Sequence, residues 1–174
     1  MATSLPSKYK RLARFTGNVG DFVAPLLLRL ILAWEFYTSG LEKLHGKNWF
    51  ADVQERFLFP FNLLPVDMSW WLATWFEIIG GIALAVGLGT RFFSLSLMIL
   101  TVVAIHAAHW PSEWQTLADL WKGYAITDAG FGNFKLPLLF LIMLVPLLLN
   151  GAGKLSLDAL IARGHIAPAE VAGL

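Results

Sequence analysis

Five ionisable side chains stand inside long apolar runs of this chain: Arg29, Glu35, Glu77, His106 and His109. A charge at membrane depth is expensive, so such groups face a protein interior or a wet cavity and are paired there. Carboxylates beside imidazoles can pass protons near neutral pH, and a guanidinium can hold a carboxylate or a ligand oxygen. Two imidazoles with two carboxylates also make a conceivable metal set, drawn from Glu35, Glu77, His106 and His109. An HxxH pair at a membrane interface is commonly no more than interfacial, so no metal is assigned. A buried Arg with a buried Glu has a plain structural reading as well, a pair that fixes helix register.

The elements that position these groups follow from composition. Of 174 residues, 57% are hydrophobic and 14% charged, which places the chain among integral membrane proteins. A net charge of +1, with no continuous basic block, excludes a nucleic-acid role. With no cysteine, the chain offers no disulfide, no thiolate metal site and no thiol exchange, and no haem-attachment or iron–sulfur pattern is present.

The apolar runs predict an all-α, polytopic four-helix transmembrane bundle in a single domain, 1–174. The spans are about 22–41, 70–89, 92–110 and 134–150, near the ~20 residues a bilayer requires. Outer loops cover 42–69 and 111–133, and 151–174 is a cytoplasmic tail. The basic start resembles a signal peptide, but the run after it contains Arg29 and Glu35 and lacks a cleavage pattern, so retention is expected. Pro137 suits a first helical turn, whereas Pro146 should kink the last span unless a neighbour satisfies the freed carbonyl. Ser156 can cap a short helix, SLDALIARG.

Lys8, Lys10, Arg11, Arg14, Arg91, Lys154 and Arg163 on one side outnumber Lys43, Lys47, Arg56, Lys122 and Lys135 on the other. Both termini are therefore expected on the cytoplasmic side of the membrane. Seven of the eight tryptophans fall in or beside the outer loops, where indoles favour the headgroup level. NWFADVQERFLFPFNLLP is accordingly expected to lie as an amphipathic segment along the outer interface.

At ~1.5 Å per residue, Glu35 and Glu77 come to similar depth in the outer half, and His106 and His109 to the outer third on one helical face. Glu77 shares a face with Gly80, Gly81, Leu84 and Ala85, a stripe that lets helices approach closely, so it should look into the bundle. Arg29 shares a face with Ala33, Phe36 and Gly40 and can reach ~6 Å toward Glu77, which makes an Arg29–Glu77 ion pair the leading expectation. His45 can join from the loop, whereas His165 lies on the opposite side.

RLILAWEFYTSGLEKLHG (29–46), FEIIGGIALAVGLGTR (76–91) and NGAGKLSLDAL (150–160) resemble the signatures of the DoxX family of small four-helix membrane proteins. The matching positions are Arg29, Gly40, Lys43, Glu77, Gly80, Gly81, Arg91, Gly151, Ser156, Leu157 and Asp158. The resemblance implies association with membrane redox systems, such as a subunit of a thiosulfate to quinone oxidoreductase or a membrane partner of secreted redox proteins.

The expected function is service in a membrane redox process, with quinone as the candidate ligand of an outward-opening polar site. Arg29, Glu77, His106 and His109 are the candidate binding residues, and Glu77 and His106 the candidate proton-handling ones. Two alternatives stay open: a scaffold that docks a soluble or metal-handling partner on the Trp-rich outer face, and a small-solute or metal transporter. Membrane lipid is an expected partner, and an oligomer is compatible with everything above.

Overall fold

The first apolar run forms a helix far longer than a bilayer requires. In the computed structural model, which describes residues 7–111, 113–124 and 133–164, helix α1 spans Ser7–His45 without a break and carries Pro25 inside it. Its 39 residues extend about 58 Å at ~1.5 Å each. The expected span 22–41 is its middle; the basic start prolongs it at one end, and Lys43 and His45 form its last turn. Helix α2 (Val66–Val86) begins four residues before the expected Trp70, directly after Pro65. It ends at Gly87, whose φ of +70° is a left-handed close that a glycine adopts without steric penalty. Gly89 has positive φ too, so GLGTR makes the minimal turn its sequence predicts.

Helix α3 (Thr90–Ala104) runs into a single π-helical turn, Ile105–His109. A short α4 (Leu117–Lys122) follows, then α5 (Lys135–Asn150), then α6 (Leu157–Gly164). Pro137 sits in the first turn of α5, which also continues through Pro146. Ser156 caps α6 as expected, its Oγ accepting from the Ala159 N–H at 3.1 Å. No strand occurs among the described residues. Residues 125–132 of the expected second loop, and the tail from His165 onward, lie outside the described residues.

Four helices pack in a closed ring: α1 on α2, α2 on α3, α3 on α5, and α5 back on α1. The small-residue stripe is what lets α1 and α2 approach. A Cβ on Gly40 would lie 2.6 Å from Ile78 Cγ1, and one on Gly81 would lie 2.9 Å from the Ala33 carbonyl oxygen. Leu32, Phe36, Leu84, Leu97, Leu144 and Leu147 fill the ring, while Ile79, Ile82, Val102, Ile142 and Leu149 point outward. By length and composition, Val66–Val86 and Thr90–His109 are apolar enough to cross a membrane, and Lys135–Asn150 is a shorter apolar helix.

The ring has a turn end, closed by Gly87–Gly89, and an aromatic end. The segment expected to lie along the interface folds over the aromatic end. It makes three short 3-10 turns, Phe50–Asp52, Gln54–Arg56 and Phe61–Leu63. Pro60 and Pro65 preclude one continuous helix there. Phe50 and Phe57 are buried among Trp70, Ala73 and Ala107, with Phe50 edge-on to both Phe57 and Trp70 at 5.2 and 5.1 Å between ring centres.

Candidate functional site

Glu77 looks into the bundle, as its glycine-rich face predicts, and its partner comes from the last turn of α1. Lys43 Nζ donates to Glu77 Oε2 at 2.8 Å and Oε1 at 3.1 Å, and to Ser39 Oγ at 2.9 Å. All three ammonium donors are thereby used. The pair is largely withdrawn from solvent, with side chains 15% and 12% exposed.

It forms part of the wall of a cavity of about 470 Å³ in the aromatic half of the ring. Glu35 and Ser39 stand on the α1 wall, His109 is on the π turn, and Phe36, Leu100 and Phe140 supply apolar surface. Phe50, Phe57 and Phe61 roof it from the folded loop. The chamber is therefore chiefly apolar, with a few charged groups converging on it from different elements. It can hold a ring system beside an ammonium and two carboxylates.

The expected Arg29–Glu77 pair does not form. Side chains on a helix lean toward its N-terminus, so Arg29 of α1 is directed toward the turn end and away from Glu77. The same rule explains Lys43, which runs back over Ser39 toward Glu77. Arg29 is 1% exposed; Nη2 donates to the Leu155 carbonyl, and Nη1 makes longer contacts to the carbonyls of Leu84 and Ala85. Only a glycine at position 87 leaves it room, because a Cβ there would collide with Nη1.

The remaining motif residues of the turn end join it in one structural staple. Asp158 accepts from the N–H groups of Gly89 (2.7 Å) and Thr90 (3.0 Å), capping α3, while its own N–H donates to the Gly87 carbonyl. Arg91 Nη2 donates to the Leu149 carbonyl at the end of α5.

The histidines separate. A π turn takes more residues per revolution than an α turn, so positions three apart no longer share a face. His109 lines the cavity; His106 is exposed, with Nδ1 2.6 Å from the Arg56 carbonyl oxygen. His45 is exposed as well and bonds the Leu41 carbonyl in its own helix. Among the described residues, no group of three or more His, Asp and Glu is placed to hold a metal ion.

Lys43 is the residue the depth argument overlooked, because a span ending at 41 leaves it in the loop. The available signal was its spacing from Ser39 and the backward lean of helical side chains.

The family model named DoxX matches residues 24–110, half of the chain. The chain belongs to the DoxX family. A protein of Haemophilus influenzae, named only as uncharacterized, is 47% identical over 84% of this chain and 88% of its own length. No solved structure matches. The DoxX match runs from α1 through the π turn and contains both members of the Lys43–Glu77 pair, with Arg29, Gly40, Gly80, Gly81 and Arg91. Gly151, Ser156, Leu157 and Asp158 lie beyond it. Family membership and the apolar helices together make this a DoxX-like membrane protein.

Proposed function

We propose that the chain crosses the bacterial inner membrane four times with both termini cytoplasmic, and that its outward cavity binds a quinone headgroup in a membrane redox process. The observation that carries this reading is the 470 Å³ apolar chamber with Lys43–Glu77 and Glu35 in its wall. That volume lies within the roughly 300–1,000 Å³ of small-molecule sites, and so does the pattern of apolar walls with a few convergent polar groups. The turn end carries Arg91 and Lys154 and adjoins the basic start of α1, the distribution the cytoplasmic side favours.

A quinone would supply the electron-accepting chemistry that a cysteine-free chain lacks. The chain's own part is binding and proton handling. Lys43 Nζ presents a fixed positive charge to a ligand oxygen, and Glu77 holds that ammonium in place. Glu35 and His109, which also face the chamber, can give or take a proton. Arg29 and His106, expected here from the sequence, face elsewhere and have no part in the site.

The test is titration of the purified protein with a tailless and a decyl-tailed benzoquinone, followed by tryptophan fluorescence and calorimetry. Saturable binding is expected. Lys43→Met should weaken it severalfold, since a ligand oxygen then loses the fixed positive charge it lies beside. Titrations that leave both signals unperturbed would sink the quinone reading.

A further inference from the structure

Leu72 and Phe76, one turn apart on α2, each belong to two cavities at once. On one side is the charged chamber. On the other, between α2 and α3 on the outside of the ring, is a groove of about 430 Å³ whose lining is entirely apolar and aromatic. Its walls include Trp71, Trp75 and Ile79 of α2 and Phe92 of α3, which are 47–59% exposed. From Met68 to Ile79 it follows α2 over twelve residues, or ~16 Å at the helical rise.

The chamber itself reaches this flank. Ser96 and Ile99 of α3 line it opposite Leu72 and Phe76, and Leu72 and Ile99 are 38% and 42% exposed. The divider between chamber and groove thus includes Leu72 and Phe76. The way from the aromatic end is roofed by Phe50 and Phe57, which are buried among their neighbours.

We infer that the chamber takes its ligand sideways from the bilayer, between α2 and α3, and that the ligand is an amphiphile with its head beside Lys43–Glu77 and its aliphatic tail along the groove. The inference rests on reading the chamber as a ligand site and specifies the class of molecule it admits. An outward apolar face draws no association from hydrophobicity inside a bilayer, where lipid chains are equally apolar. What distinguishes this face is its concave shape and its continuity with a charged chamber, which together suit a tail tethered to a bound head.

The test uses the full chain in lipid nanodiscs, with Ile79→Trp to fill the groove at a position that does not line the chamber. The tailless and decyl-tailed benzoquinones are compared, and two palmitic acids, one with a diazirine beside its carboxyl and one with it near the methyl end, serve as probes with a different head. Ile79→Trp should weaken the tailed quinone at least tenfold and leave the tailless one within twofold. In the unsubstituted protein the carboxyl-end diazirine should label Leu100 and Phe140 inside the chamber and the methyl-end diazirine Trp75 and Phe92 in the groove, and the interior labels should fall at least fivefold in Ile79→Trp. If neither quinone binds while the interior labelling behaves this way, the quinone assignment fails and the lateral route stands. Labels confined to the outer surface, or equal effects of Ile79→Trp on both quinones, would overturn the route.

Discussion

Lys43→Met should destabilise the bundle severely, while pairing it with Glu77→Leu should restore most of the loss. Lys43 and Glu77 meet through two contacts of 2.8 and 3.1 Å, with side chains only 15% and 12% exposed. Removing one member of a buried pair typically costs about 3–5 kcal/mol, because the other is left as an uncompensated charge. In a domain of this size each kcal/mol moves the thermal midpoint by roughly 2–4 °C, so a fall of about 6–20 °C is expected. Replacing both members by apolar residues of similar volume is often neutral or stabilising by about 1–4 kcal/mol, since the desolvation of two charges is relieved as well. The measurement is thermal unfolding of Lys43→Met, Glu77→Leu and the double variant in one detergent, with Ser39→Ala to isolate the third Lys43 contact. If the double variant is as unstable as the two single losses added together, the pair is not the coupled unit described above. If Lys43→Met shifts the midpoint by less than 2 °C, the burial argument fails outright.

Arg29→Lys should cost about 1.5–3 kcal/mol, because one ammonium cannot reproduce a fork that reaches both Leu155 and the end of α2; faster amide exchange at Gly89, Thr90 and Asp158 would report the loosened staple. Gly87→Ala should be worse than Gly89→Ala. Both have positive φ, but only the former sets a Cβ against Arg29 and Ser156, whereas the nearest atoms to the latter are 3.6 Å away in the flexible Phe93 ring. Equal thermal midpoints for the two would contradict this. At α4, the Lys122 hydrogen bond and then the Thr116 hydroxyl hold the Asp119 carboxyl down from 3.8 to about 2. A depressed carboxylate contributes stability that is present above its unfolded value and is lost as pH falls toward the folded one. Order in α4 should therefore persist through pH 4 and fade between about 3.8 and 2. A carboxyl-carbon NMR titration should place the midpoint near 2, and Lys122→Met should return it toward 3.8.

Much of this arrangement is legible in the chain. The apolar runs give four packed helices because each must bury or lipid-face its apolar surface, and the Gly80–Gly81 stripe forecasts both the close α1–α2 approach and the inward aim of Glu77. Ser156 as a cap and GLGTR as the tight turn are local effects, carried by one side chain or two glycines. The boundaries were harder. A span estimated from hydropathy stops where charge begins, yet a helix does not, so α1 ran on through Lys43 to His45.

What the sequence by itself determined is therefore the class of molecule, the order of its helices and which faces turn inward, since periodicity and composition carry that information along the chain. Tertiary structure decided the partners. Depth alone pointed to Arg29 as the partner of Glu77; the N-terminal lean of helical side chains, together with the room left by Gly87, sent Arg29 to the turn end and left Glu77 to Lys43. It likewise parted His106 from His109 through one π turn, and folded an aromatic loop over the chamber. Each of these outcomes depends on the direction of a side chain or the path of a loop relative to a distant element, which periodicity along the chain does not encode.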